Sequence, residues 1–292
     1  MPSLDDLKKR IKSVKSTQKI TKAMKMVAAA KLRKAQENAE KGRPYSQKMQ
    51  NIILNLTKSI NDTENAPKLL VGTGKDKTYL CLVLTADRGL CGGFNSNICK
   101  LAKNNFKKIL SEGKDLKIIT VGSKGLDQIK RDYGKHIIKK FSFKEKKQIT
   151  FKEAEIIGSE IINLFNKSEF DKCILFFNNF KNVITQIPQA QQIIPAENQS
   201  PDSSEKISLN YEFEPDEDEI LEDLLPKNIS TQVFKAFLEN AASEQGSRMT
   251  AMDNATRNAG DLVDKLTINY NRSRQASITK ELIEIISGAE SL

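Results

Sequence analysis

The chain has 292 residues, 29% of them charged, and a formal net charge of +10. Its four cysteines form no C-x-x-C pair and it has a single histidine, which excludes a zinc or disulfide framework and a multi-histidine metal site. No apolar run reaches the roughly 18 to 20 residues that a membrane span needs. The basic excess favours nucleic acid, an anionic membrane surface or acidic protein partners, and it does not choose among them.

The first region, from about Ser3 to Ser59, is predicted to be a long helix. Ser3 and Asp6 have the spacing of a capping box, with Asp in place of the usual Glu. Apolar residues then recur at heptad spacing, at Leu4, Leu7, Ile11 and Val14. The next two positions of this heptad are Gln18 and Thr21, so the apolar seam is expected to weaken there.

A second feature of this helix is the segment Ile20–Gln36, whose apolar residues spread over more than half of its circumference. Between Leu7 and Gln36 the chain has eleven Lys or Arg residues and no acid. An ordinary surface helix keeps one apolar stripe and one polar face. This segment is therefore expected to contact neighbours on several sides and to present positive charge to them. Further along, Gly42-Arg43-Pro44 is expected to kink or interrupt the helix.

The middle region, from about Lys75 to Pro195, alternates apolar strands with amphipathic helices, which favours an open α/β sheet. The predicted strands lie in TYLCLVLTADRG, LKIITVGSKG, FDKCILFFNNF and VITQIPQAQQIIP. The predicted helices are SNICKLAKNNFKKILSEG, GLDQIKRDYG and FKEAEIIGSEIINLFNKSE. The stretch Pro195–Lys206 is polar and is predicted to be a surface loop.

The third region is predicted to be helical from near Asp216 to about Ser287. Two long helices at opposite ends of the chain, with a globular insert between them, can bury their apolar stripes by pairing antiparallel. The predicted fold is therefore α/β plus long helices, an antiparallel coiled coil of the N- and C-terminal helices with an inserted open Rossmann-like α/β domain. The predicted boundaries are 1–60 and 208–292 for the two coiled-coil helices and 75–207 for the α/β domain.

Constellations of catalytic residues are scarce in this sequence. His136 lies in a lysine-rich segment and is expected to be exposed to solvent. In TADRGLCGGFN, the glycines at 89, 92 and 93 do not match G-x-G-x-x-G, so they are expected to serve a tight turn. VGTGKDKT has a Gly-Lys pair but precedes the first strand, which is the wrong side for a phosphate loop. We therefore expect no catalytic, cofactor-binding or metal-binding residues.

Three stretches carry a family resemblance over nearly the whole chain. LKKRIKSVKSTQKITKAMKMVAAAKLRKAQ resembles the N-terminal helix of the γ subunit of F-type rotary ATP synthases. LTADRGLCGGFN is similar to the signature of that family's α/β domain. The third stretch, ASEQGSRMTAMDNATRNAGDLVDKLTINYNRSRQASITKELIEIISGAESL, resembles its C-terminal helix.

The resemblance implies a central rotor shaft without bond chemistry of its own. One copy per complex would turn inside a ring of α and β subunits, with an ε subunit, on a membrane ring of c subunits. It would couple ion flow through the c ring to ATP synthesis or hydrolysis on β. Because the N-terminus has no signal or transit peptide layout, we expect a peripheral protein at the cytoplasmic face of the bacterial inner membrane.

Contact residues follow from the resemblance by matching motif positions. The residues that it implies for contact with β are Met24, Arg248, Gln275, Thr279 and Glu281. Arg248 and Gln275 would hydrogen-bond an acidic loop of β. The residues implied for contact with the c ring are Tyr211, Glu212 and Glu214. Lys25 stands where many members have an acid, which would strengthen the basic character near Met24.

Two alternatives stay open at this point. The basic run from Leu7 to Gln36 would suit a coiled-coil protein that binds nucleic acid or acts as a scaffold. The α/β insert would suit an enzyme that acts on a small molecule. Salt-sensitive DNA binding favours the first alternative, and saturable nucleotide binding by the chain favours the second.

Overall fold

A computed structural model describes residues 3–59, 67–146, 149–195 and 217–290. In chain order its elements are α1 (Leu4–Ser59), α2 (Lys68–Val71), β1 (Thr78–Leu84), α3 (Phe94–Ser111), β2 (Asp115–Val121), α4 (Ser123–Tyr133), a 3-10 turn (Gly134–His136), β3 (Ile137–Phe141), α5 (Phe151–Asn166), β4 (Lys172–Phe180), β5 (Gln186–Ile194) and α6 (Glu217–Glu290). The chain forms two compact units. The first comprises residues 1–30 and 248–292, and the second comprises residues 31–247.

The first unit consists of two antiparallel helix segments, one from α1 and one from α6. Thr21 contacts Thr256, and Lys25, which follows on α1, contacts Asp253, which precedes Thr256 on α6. The two helix segments therefore run in opposite directions. The start of α1 is capped as predicted, because the amide of Asp6 donates to Ser3 Oγ and the amide of Ser3 donates to Asp6 Oδ2. The predicted long helices and their antiparallel pairing are confirmed.

The predicted interruption of α1 at Gly42-Arg43-Pro44 is wrong, because the helix continues through Pro44 to Ser59. A proline inside a helix removes one backbone hydrogen bond and costs about 3 kcal/mol. Tertiary contacts in the second unit offset this cost. A Cβ at Gly42 would lie 2.7 Å from Leu238 Cδ1, so the two helices approach closely here. Arg43 also forms an ion pair with Glu239, with 2.8 Å between Nε and Oε1.

The second unit is built on a five-stranded sheet of order β3-β2-β1-β4-β5. Strands β3, β2, β1 and β4 run parallel, and β5 pairs antiparallel to β4 at the edge. The open α/β sheet is confirmed, and β3 is an additional strand that the sequence pattern did not indicate. Its sequence IIKKF has only three apolar residues and lies at the exposed edge of the sheet, so it lacks the apolar run of a central strand.

The side chains of β1 alternate between two cores, as the pleat of a strand requires. Leu80, Leu82 and Leu84 face a core that α5 and α6 complete, whereas Cys81 and Val83 face a core that α3 and α4 complete. Helix α6 is thus part of the covering layer of this sheet.

Helix α6 is fastened to the carboxyl ends of β1 and β4 by one buried side chain. Asn240 Nδ2 donates to the carbonyl of Leu84 at 3.1 Å, and Asn240 Oδ1 accepts from the amide of Asn178 at 2.7 Å. Asn240 therefore satisfies one backbone group on each of two neighbouring strands. Buried backbone groups need such partners, since each one left unpaired costs about 1–3 kcal/mol.

We expect Asn240→Leu to lower the free energy of unfolding by about 2–5 kcal/mol, because the Leu84 carbonyl and the Asn178 amide would both lose their partner in a buried site. Urea unfolding of the full chain, followed by circular dichroism, measures this change. Asn258→Leu, an identical change at an exposed position of α6, is the control and should change stability by less than about 0.5 kcal/mol. Equal effects of the two changes would contradict the role given to Asn240.

Candidate functional site

The helix pair of the first unit has a seam with the spacing of a coiled coil. The buried residues of this seam are Leu7, Thr21 and Ala28 on α1 and Met252, Ala259, Val263 and Leu266 on α6. The seam narrows around residue 260, where a Cβ on Gly260 would lie 3.1 Å from Gln18 Nε2. The predicted heptad therefore continues through Gln18 and Thr21, with polar and small residues in place of large apolar ones.

Polar contacts hold the middle of the seam. The Thr256 hydroxyl donates to Thr21 Oγ1 at 2.7 Å, and Lys25 Nζ donates to Asp253 Oδ1 at 2.5 Å. Arg257 also pairs with Asp253. Hydrogen bonds from Lys25 and then Arg257 lower the pKa of the Asp253 carboxyl below its ordinary value. These contacts fix the two helices against each other without a large apolar core.

The pairing of Lys25 revises the interpretation of this residue. Its charge was expected to add to the basic surface near Met24, and the structure directs it onto Asp253 instead. Asp253, Thr256 and Val263 are seam residues that sequence reasoning missed. The available signal was the heptad that relates Met252, Thr256 and Ala259 along α6, together with the i,i+4 spacing of Asp253 and Arg257.

The outer face of α1 carries exposed apolar side chains beside the seam. Ile20 is 60% exposed, Met26 61% and Val27 56%. Met24, one of the expected contact residues, is half-buried among them. Ile20 and Val27 lie on one side of the helix, and Met26 points roughly 100° away from Val27, so the exposed apolar side chains occupy more than one face. The expectation that Ile20–Gln36 presents more than one contact face therefore has structural support.

The end of α6 is a second exposed apolar surface. The large apolar residues that are at least half exposed there are Ile278, Leu282, Ile283, Ile285 and Ile286. Lys25 lies opposite Asp253, and Leu4 precedes Lys25 by 21 positions. In an antiparallel pair, Leu4 is therefore level with Arg274, which follows Asp253 by 21 positions. Residues 275–290 of α6 thus extend past the first residue of α1.

The expected β-contact residues fall into separate groups along α6. Gln275 and Thr279 lie on one exposed face, where the Thr279 hydroxyl donates to the Gln275 carbonyl at 2.9 Å. Glu281 is also exposed but points roughly 120° away from Gln275 around the helix. Arg248 is half-buried and lies about 40 Å from Gln275 along the helix axis. Tyr211, Glu212 and Glu214 lie outside the described residues.

The Gly-rich stretch of the second unit uses its polar groups internally. Asp87 accepts hydrogen bonds from the amide and hydroxyl of Ser123 at 2.8 and 2.7 Å, from the Ser142 hydroxyl at 2.8 Å and from the Phe143 amide at 3.0 Å. Asn95 Oδ1 accepts from the amide of Ala86 at 2.9 Å. The Asp87 carboxylate therefore lies at the N-terminus of α4, where a doubly wound fold can hold a phosphate.

Other chemistry-bearing residues of the described ranges are few and scattered. No group of three or more His, Cys, Asp or Glu side chains among them is arranged to hold a metal ion. The four cysteine thiols are buried and free, and burial raises the pKa of Cys99 to about 11. His136 is half-buried rather than exposed, with Nδ1 3.1 Å from the Leu116 carbonyl. Within the described ranges, no helix combines the length and apolar character needed to cross a bilayer.

Fold and surface together define a class of protein, an antiparallel two-helix coiled coil with an α/β domain inserted in its sequence. The family model described as ATP synthase matches residues 3–292. The ATP synthase gamma chain of Pelagibacter ubique is 72% identical over 292 residues, which are 100% of both chains. The chain therefore belongs to the ATP synthase gamma-chain family.

Solved structures share this architecture. A chain from the central stalk and c-ring structure of the Tetrahymena thermophila mitochondrial ATP synthase is 27% identical with a TM-score of 0.58, and the match covers 81% of this chain and 99% of that one. A chain from the Euglena gracilis mitochondrial ATP synthase has a TM-score of 0.66 at 19% identity, with 99% and 94% covered. At that level of identity the second match concerns the fold alone.

We expect Lys25→Glu to lower the melting temperature of the full chain by about 2–4 °C, because it places a carboxylate against Asp253 and repels it. Lys22→Glu makes the same charge reversal at an exposed position three residues earlier and serves as the control. Differential scanning calorimetry measures both variants. If Lys22→Glu lowered the melting temperature as much as Lys25→Glu, the contact with Asp253 would not be responsible.

The hydrogen bonds to Asp87 predict how the stability of the folded chain depends on pH. Burial raises the pKa of the Asp87 carboxyl, but the hydrogen bonds from Ser123, Ser142 and Phe143 together lower it by more. The pKa of Asp87 therefore lies below its ordinary value. Such a group contributes stability that is complete above the unfolded pKa of about 3.9 and is lost as pH falls through the folded pKa.

The stability difference between the natural chain and Asp87→Asn should therefore be constant from about pH 5 to pH 8 and shrink below about pH 4. Urea midpoints measured across this range test it. Asp115→Asn, at the exposed start of β2, is the control and should show little difference at any pH. A difference for Asp87→Asn that grew as pH fell would contradict the assigned hydrogen bonds.

Proposed function

We propose that this chain is the central rotor shaft of an ATP synthase. It turns inside a ring of α and β subunits and couples ion flow through a membrane c ring to ATP synthesis or hydrolysis on β. The observation that carries this proposal is the helix pair of the first unit, which is tied together by Lys25–Asp253 and Thr21–Thr256 and keeps apolar side chains on its outer face. Membership of the ATP synthase gamma-chain family supports it.

The energetics of coupling favour steric contact over charge. A rotor that shifts a catalytic subunit from about 1:99 to 99:1 between two states must supply roughly 5.5 kcal/mol of differential binding. One exposed ion pair contributes about 0–1 kcal/mol. The exposed apolar faces near Ile20 and Val27 and at the end of α6 are therefore the surfaces whose steric contact shifts the catalytic subunits. Individual charges set the preferred stopping angles of the rotor.

The contact residues are proposed accordingly. Met24 lies in the apolar face of α1, and Gln275 and Thr279 share one exposed face of α6. With Arg248 and Glu281 they would contact β as the shaft turns. Tyr211, Glu212 and Glu214 are proposed to contact the c ring, where the carboxylates of Glu212 and Glu214 would pair with basic loops.

The remaining partners and the location follow from the same role. One copy per complex binds the α and β subunits, an ε subunit and the c ring, and it binds no nucleic acid. The chain has no catalytic residues of its own, and it meets the membrane only through the c ring. We place it as a peripheral protein at the cytoplasmic face of the bacterial inner membrane.

We expect Arg248→Ala to reduce coupled ATP synthesis severalfold while leaving assembly of the complex nearly unchanged, because it removes a contact to β and leaves the seam intact. Synthesis in inverted membrane vesicles and subunit yield after purification measure the two effects. Arg131→Ala, at an exposed position of α4, is the control and should leave both unchanged. Normal synthesis by assembled Arg248→Ala complexes would show that Arg248 has no part in coupling.

A further inference from the structure

The second unit contains a cavity of about 670 Å³ that the rotor role does not use. It lies at the carboxyl end of β4, and residues of α1, β5 and α6 complete its wall. This size is within the range of about 300–1,000 Å³ that small-molecule sites occupy. The cavity therefore has room for a ligand considerably larger than a single ion.

The cavity lies next to the position where α/β sheets commonly bind ligands. In the order β3-β2-β1-β4-β5, the chain crosses to the opposite side of β1 when it enters β4. Ligands of open α/β folds bind outside the carboxyl ends of the strands at such a reversal. Asn240 covers the ends of β1 and β4 themselves, and the cavity lies on the β5 side of that contact.

The charge of the lining is positive and partly uncompensated. The lining includes Arg43, Lys181 and Lys235 and one carboxylate, Glu239. Arg43 neutralises Glu239 through contacts of 2.8 Å and 3.1 Å from Nε and Nη2, and Glu239 also accepts from the Phe180 amide at 3.0 Å. With three cations and one carboxylate, the lining therefore carries a net positive charge.

Lys235 is the most informative of these cations. Its side chain is half-buried, and neither it nor Lys181 forms a hydrogen bond or ion pair with any residue that the structure describes. Burial lowers the pKa of the Lys235 amine; the charge of Glu239 raises it and that of Arg43 lowers it, and the pKa lies below its ordinary value. Lys235 shares the only carboxylate of the lining, Glu239, with Arg43. Burial of an ammonium group that is only partly compensated is unfavourable, and an anion in the cavity would relieve this cost.

We propose that this cavity is a binding site for a small phosphate-bearing anion, whose phosphate oxygens contact Lys235 and Lys181. Two ammonium groups in the lining suit an anion with several oxygens, since charge-assisted hydrogen bonds to phosphate are the strong ones. Gln189 and Asn182 in the same lining add amide donors. The inference is independent of the rotor function, because none of the proposed contact residues that the structure describes lines the cavity.

The test is calorimetric titration of the full chain with inorganic pyrophosphate at low ionic strength. We expect saturable binding with one site per chain. Lys181→Gln/Lys235→Gln should raise the dissociation constant at least about tenfold. Lys100→Gln/Lys152→Gln removes the same charge from exposed positions of α3 and α5 and should change it by less than about twofold.

Two results of this titration would overturn the proposal. One is the lack of saturable binding by the natural chain. The other is equal weakening in both double variants, which would show that diffuse surface charge attracts the anion. A parallel titration with citrate separates phosphate from carboxylate, because citrate binding as tight as that of pyrophosphate would contradict the phosphate assignment.

A measurement on the natural chain covers the case in which the pocket variant does not fold. Hydrogen exchange with and without pyrophosphate should show new protection in residues 177–189 and around Lys235. Protection confined to other parts of the chain would place the anion elsewhere and overturn the assignment.

Discussion

The seam between α1 and α6 in the first unit is the constraint on which the proposed function depends. Two helices can act as one body only if their contacts resist sliding, and this seam achieves that with few large apolar residues. Thr21 meets Thr256 and Lys25 meets Asp253, so a shift of one residue along the seam would separate both pairs. Narrow side chains such as Ala28 and Ala259 keep the helices close and leave the larger apolar residues for the outer face.

The second unit fixes α6 to the sheet by a different kind of contact. Its polar contacts are buried, with Asn240 bridging two strands and Glu239 joining Arg43 to the Phe180 amide. The Glu239 carboxylate is buried, whereas the Arg43 side chain is 38% exposed, so solvent screens part of their attraction. The hydrogen bonds that Arg43 donates to Glu239 raise the pKa of Arg43. Sheet and helix thus share polar anchors that a rotating subunit would need in order to transmit torque.

Much of this architecture could be predicted because it depends on periodicity. The apolar spacing of Leu4, Leu7 and Ile11 and the alternation of strands with helices are local patterns, and both predictions are confirmed. The predicted interruption at Pro44 is wrong because local propensity was outweighed by tertiary contacts of Gly42 and Arg43, which lie nearly 200 residues from their partners on α6.

Pairings between distant residues limited the prediction of the candidate site. The charge of Lys25 was visible in the sequence, but its partner Asp253 depends on the register of two helices that the sequence does not fix. The strand β3 was missed because two lysines interrupt its short apolar pattern. The cavity near Lys235 was equally out of reach, because α1, β4, β5 and α6 all contribute to its wall. The contacts proposed for Arg248 and Glu281 stay predictions.

The most direct test of the central claim is a disulfide across the seam. The Thr21 and Thr256 oxygens are 2.7 Å apart, so Thr21→Cys/Thr256→Cys should cross-link under mild oxidation within the assembled complex. We expect the cross-linked complex to keep synthesising ATP, because both cysteines would belong to one rotating body. Failure of the cross-link to form, or loss of synthesis once it has formed, would contradict the claim that the two helices turn together.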